Sequence, residues 1–134
     1  MNVPMIVAGS LAVLGAAIHG GAGEVLVVRK LAPAMLPPSR FGGPEMTKTM
    51  IQVTWHMTTI AFITVGSALL LSGSVLDGDT ARGIGLVAAG ASTGFAALAV
   101  GLGGAYRHFP RSLFRHPGPV VLTAVAALAW WGTL

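Results

Sequence analysis

Apolar positions fill four long stretches of the chain, and polar positions gather in the segments between them. About 20 apolar residues at a rise of 1.5 Å each cross a hydrocarbon core of roughly 30 Å. The stretches 3–28, 50–71, 83–106 and 119–134 are therefore predicted to be membrane-spanning helices. The fold class that follows is all-α, a polytopic four-transmembrane-helix bundle forming one domain over 1–134. The fourth stretch is the shortest. Pro119 suits a first helical position, His116-Pro117-Gly118 form its interfacial approach, and Trp130 and Trp131 fall in the belt where Trp is enriched. The first stretch has no Lys or Arg before it and runs for about 25 residues, whereas a cleaved signal has a basic n-region and a shorter apolar core. It reads as a permanent helix.

Orientation follows from where the basic residues lie. Arg29, Lys30, Arg40 and Lys48 occupy the segment after the first span, and Arg107, Arg111 and Arg115 the segment after the third. Arg82 stands alone in the segment after the second. The expected arrangement is multi-pass in a bacterial inner membrane, with both termini outside and the two basic loops in the cytoplasm. Asp77 and Asp79 with Gly73 and Gly78 mark a tight polar turn on the outside. The first loop, rich in Pro, is expected along the inner surface with Met35, Leu36 and Phe41 at headgroup level.

Composition agrees with this class. A mean hydropathy of +0.78 and 9% charged residues lie far from the roughly 25% charge of a soluble domain. The net charge of +4 would suit nucleic acid if the basic residues formed one solvated face. They sit between apolar runs instead, so the charge reads as topology and the expected partner is the lipid bilayer, with a membrane-protein partner or a homo-oligomer left open. Cys is absent, which leaves His, carboxylate or backbone groups as metal ligands.

Helices in lipid pack closely through small residues. Ala8, Ala12, Gly15, His19 and Ala22 in the first span, and Gly90, Gly94, Ala97, Gly101 and Gly104 in the third, repeat at spacings of four and three. Both sets are expected to face protein.

Ionisable groups within a span are costly to insert and are functional candidates by default. His19 and Glu24 in the first span and Gln52 and His56 in the second stand out, with Thr59 continuing the Gln52–His56 face. His19 lies about nine residues, roughly 13 Å, from Val28, and His56 about seven residues, roughly 10 Å, from Thr49. The two imidazoles thus reach nearly one level, with Glu24 and Gln52 in a layer beneath. His19 and Glu24 point about 140° apart on an ideal helix, so one metal could bind both only if the helix were distorted; Gly20, Gly21 and Gly23 permit that. Neutral imidazole ligates haem iron and transition metals between facing helices. His19 and His56 are accordingly the candidate ligands of haem b or of a metal ion, with Gly20 and Gly23 leaving room for a porphyrin.

Two other readings stay open: polar residues that only lock helices together in an accessory subunit, and a small transporter or proton path using the imidazoles. His108 and His116 lie among the Arg residues of the second basic loop, where contact with lipid headgroups is expected. No set of Ser, His and Asp with a shared location points to hydrolysis, and no catalytic residue is assigned.

The combination of Ile18-His19-Gly20-Gly21, a basic loop containing Pro, Trp55-His56-Met57-Thr58-Thr59 and a final Trp-Gly end resembles a family of small, uncharacterised bacterial four-span membrane proteins. The resemblance implies the topology above, marks His19 and His56, and implies no reaction.

Overall fold

The computed structural model describes residues 1–104 and 116–134. Tyr106, Arg107, His108, Arg111 and Arg115, and with them the end of the predicted third span, lie outside the described residues. Helix α1 (Val3–Ala17) passes through a π-helical turn (Ile18–Ala22) into the short α2 (Gly23–Leu26). Single 3₁₀ turns at Val28–Lys30 and Pro33–Met35 lead to α3 (Gly43–Ser74), α4 (Gly78–Gly104) and α5 (Gly118–Thr133). Three helical stretches, Val3–Lys30, Gly43–Ser74 and Gly78–Leu102, are long and apolar enough to cross a membrane, and Gly118–Thr133 is a shorter apolar helix.

Helix α3 starts well before the apolar stretch predicted from residue 50. Gly43 has a φ of +69°, which turns the chain, and Pro44 follows with a fixed φ suited to a first helical turn. Glu45 in that turn complements the helix dipole, and the Thr47 hydroxyl donates to the Pro37 carbonyl at 2.7 Å, holding the loop against the helix. At the other end, residues 75–77 form the tight turn into α4, with Gly78 at a φ of +59°.

The chain divides into two compact units. The first comprises Met1–Gly15 and Ile63–Leu134, the second Ala16–Phe62. The core of the first unit brings four helices together through small residues: Ala8 and Ala12 from α1, Leu69 from α3, Ala88 and Ala89 from α4, Val125 and Ala129 from α5. Alanine dominates, and its small side chain lets the helix backbones approach closely. Helices α1 and α3 approach closely in this unit. A Cβ on Gly9 would stand 2.7 Å from the Gly66 carbonyl oxygen, and one on Gly66 would stand 3.0 Å from the Gly9 carbonyl oxygen. Asn2 pins the ends together, its backbone N–H donating to Gly73 O at 2.7 Å and its side chain to Gly132 O at 2.6 Å.

The small-residue faces differ in part from expectation. On α1, Ala8 and Ala12 are buried as expected, but Ala16 continues the buried row and Ala22 is exposed. On α4 the expected face is turned outward: Gly90, Gly94, Ala97 and Gly101 are exposed, and a Cβ on any of the three glycines would meet nothing within 4 Å. Gly85, Ala88, Ala89, Ser92 and Ala96 are buried instead. Small residues occupy both faces of α4, so their spacing alone does not choose between them. The surroundings of Gly104 lie outside the described residues.

Large apolar side chains cover the outside. Leu14, Ile18, Leu26, Val53, Met57, Ile60, Val87 and Leu98 are exposed along the helices, a surface consistent with membrane localisation.

Candidate functional site

The polar residues singled out in the sequence all fall in the second unit, on the π-helical turn, on α2 and on the first half of α3. The π-helical turn is the distortion that five-residue spacing required. In it the Gly23 N–H donates to the Ile18 carbonyl, an i→i+5 bond that adds one residue to the turn. His19 and Glu24 therefore both reach α3, although an ideal helix would point them apart. Gly20, Gly21 and Gly23 pack this segment with residues that add no side-chain bulk.

His19 lies against Trp55. The two rings stack at 4.2 Å between centroids and 11° between planes, and the Trp55 indole N–H donates to the His19 carbonyl at 3.0 Å. Phe62 approaches the same imidazole edge-on at 5.7 Å. The notches at Gly20 and Gly23 are filled. The Thr59 methyl would meet a Cβ on Gly20 at 2.7 Å, and the six-membered ring of Trp55 packs directly on Gly23. The room expected there for a porphyrin is thus occupied by α3 side chains. Thr59 donates its hydroxyl to the Trp55 carbonyl at 3.1 Å, so it serves the helix and the Gly20 contact.

Glu24 lies further along, buried at 9% exposure. Its two oxygens have different surroundings. Oε1 accepts from Gln52 Nε2 at 3.1 Å and from Arg29 Nε at 3.4 Å. Oε2 is buried and accepts no hydrogen bond, while His56 Nε2 lies 3.4 Å from it. An N–H···O bond is normally 2.7–3.2 Å, so His56 faces the carboxylate without completing a good hydrogen bond. Arg29 is largely solvent-exposed, so water competes for its guanidinium and weakens the pair. Gln52 is the firmer of the two anchors.

Counting along the helices placed Glu24 with Gln52 in one layer, and these two are hydrogen-bonded. The same counting placed His19 level with His56, and the two have different partners. His19 takes Trp55 and Phe62, whereas His56 takes Glu24. Among the described residues no group of three or more His, Cys, Asp or Glu side chains comes together. Trp55 was not a candidate from the sequence. The signal was available in its position next to His56 and in Gly23, the glycine it packs on, since a large ring needs a surface without side chains.

No family model, no curated protein and no solved structure matches the chain. Two clefts in the first unit, of about 290 and 350 Å³, are lined by residues of that unit alone.

An imidazole nitrogen and a carboxylate oxygen are both good ligands for borderline divalent metals. Ligands bound at 2.0–2.2 Å on a tetrahedral ion stand about 3.4 Å apart. That is the separation of His56 Nε2 and Glu24 Oε2. Gln52 would hold the other carboxylate oxygen and so fix the ligand's orientation, the usual role of a hydrogen bond to a metal-binding carboxylate.

Proposed function

We propose that the chain is a bacterial inner-membrane protein of four spans, with both termini outside, that binds a divalent transition-metal ion near the inner face through His56 and Glu24. The distribution of Lys and Arg supports the orientation. The placing of the metal rests on one observation: the buried Glu24 Oε2, which accepts no hydrogen bond, stands at a tetrahedral ligand-to-ligand distance from His56 Nε2. This reading keeps His56 as a candidate ligand and gives His19 a different task, that of holding Trp55 and with it the register of α3.

Metal content of protein purified in mild detergent tests the proposal. After exposure to Zn²⁺ and removal of the excess, the wild-type chain should retain zinc. Glu24→Gln and His56→Ala should each lose most of it, and the double variant should add little, because either change destroys a two-ligand site. His116→Ala should retain it. Zinc retained equally by all four variants, or by none and not by the wild type, would refute the assignment.

A second reading has an observation of its own. The Gln52 and His56 contacts of Glu24, and the Trp55–His19 pair, tie α3 to the π-helical turn and α2. In this reading the chain is an accessory subunit whose polar residues lock two helices, each such hydrogen bond contributing about 0.6 to 2 kcal/mol in a membrane. No metal would then be retained, and the stability losses of Glu24 and Trp55 variants would add.

A further inference from the structure

We infer that the turn Ser39–Gly43 and the basic residues of the same loop dock on an anionic lipid surface, through the phosphates of its headgroups. The inference rests on α3 being a membrane span and is independent of the metal.

The turn holds its tip outward in a fixed shape. The Ser39 N–H donates to the Gly43 carbonyl at 3.1 Å and the Gly43 N–H to the Ser39 carbonyl at 3.0 Å, which closes the loop. The Ser39 hydroxyl accepts from the Phe41 N–H at 3.1 Å, and Gly42 and Gly43, at φ of +155° and +69°, reverse the chain. The Thr47 bond to the Pro37 carbonyl fastens the loop to α3. Arg40 and Phe41 are left at the tip, Phe41 at 80% exposure. A tip fixed in this way has already lost much of the freedom that docking would otherwise remove.

The length of α3 sets the level of the tip. The helix has 32 residues and is about 48 Å long at a rise of 1.5 Å. A bilayer with its headgroups is about 40 to 45 Å thick. A span of that length reaches from one headgroup layer to the other, so the turn at its start stands among the headgroups.

The side chains at that level select the lipid. Lys30 and Arg40 are exposed, Lys48 is partly exposed, and Glu45 is the one acidic residue between positions 29 and 50. Clustered Lys and Arg beside a span attract anionic headgroups. Met35, 82% exposed on its 3₁₀ turn, and Phe41 are apolar side chains of the kind that an interfacial segment buries at the boundary of headgroup and acyl chain. Apolar contact alone would serve any lipid, and the basic residues beside it favour the anionic ones.

A dye beside the tip tests this on the full chain in mild detergent. The chain has no Cys, so Pro38→Cys, at an exposed position just before the turn, carries a single environment-sensitive fluorophore. Titration with phosphatidylglycerol should give a saturable blue shift at lower lipid concentration than phosphatidylcholine, and salt should narrow the difference. Lys30→Gln, Arg40→Gln and Lys48→Gln should each weaken phosphatidylglycerol binding about five-fold and leave the phosphatidylcholine response unchanged. Phe41→Ser should weaken both. Glu45→Gln should strengthen phosphatidylglycerol binding, a gain that loss of folding cannot imitate. Equal affinity for the two lipids, or charge variants that bind phosphatidylglycerol as the parent does, would overturn the inference. The same shift with inorganic phosphate would overturn it in favour of a free anion, and no shift with either lipid would overturn it in favour of a protein partner at the tip.

Discussion

Trp55 is fastened to His19 twice, by a ring stack at 4.2 Å and by an indole N–H bond to the His19 carbonyl at 3.0 Å. The arrangement depends on Gly23, whose missing side chain leaves the place that the indole fills. Gln52 and His56, which meet Glu24, flank Trp55 on the same stretch of α3.

Removing the two components separately should give different losses. Trp55→Phe keeps an aromatic ring but loses the donor, and thermal unfolding in detergent should fall by the equivalent of about 0.6 to 2 kcal/mol. Gly23→Ala forces a methyl group into the indole and should cost about 1 to 3 kcal/mol, as overpacking does. In a Trp55→Ala background the Gly23→Ala loss should largely vanish, since the clash is with that ring. An undiminished loss in the double variant would place the Gly23 effect in the π-helical backbone instead.

The glycines should divide by face. Gly66→Leu would drive a side chain into Val13 and the backbone of α1, and a loss of about 1 to 3 kcal/mol is expected. Gly94→Leu and Gly101→Leu meet open space and should stay within about 0.5 kcal/mol of the matching Ala variants, as surface substitutions do. Equal losses at Gly66 and Gly94 would show that the outward face of α4 is also packed.

Helix positions were readable from the chain because length and apolarity suffice to define a span. The early start of α3 was not, since Gly43, Pro44 and Glu45 are polar or neutral and their helical role lies in φ values and the dipole rather than in hydropathy. The Glu24–Gln52 layer could be found by counting residues from the helix ends. The partner of His56 could not, because it depends on the π-helical turn, and glycine permits such a turn without specifying it. Gly90, Gly94 and Gly101 misled for a related reason: a small residue allows close packing but does not require it, and Ala88, Ala89 and Ser92 offered the same allowance on the opposite side.

Topology can be read with reporters. A fusion after Leu134 should be active only outside the cytoplasm, and one inserted near Ser39 only inside, following the basic residues of the two loops. The opposite pattern would reverse the orientation and put the Glu24 centre near the outer face.

Gln52 and Arg29 both touch Glu24 Oε1 but should differ in effect. Gln52→Leu removes the 3.1 Å bond that orients the carboxylate, and zinc affinity should fall about 10- to 100-fold without being abolished. Arg29→Ala removes a 3.4 Å contact from a side chain that is 70% exposed, and its effect on affinity should be clearly smaller. A larger loss at Arg29 would mean that its charge, rather than the Gln52 bond, prepares the carboxylate.

The visible spectrum of the full-length protein during titration with Co²⁺ addresses the central claim most directly, because tetrahedral cobalt absorbs far more strongly than the octahedral aquo ion. If His56 Nε2 and Glu24 Oε2 are two corners of a tetrahedral site, an intense band should grow to saturation, be displaced by Zn²⁺, and be absent in Glu24→Gln and in His56→Ala while surviving in His116→Ala. A titration that yields only the weak octahedral spectrum, or a strong band that both variants retain, would contradict the assignment.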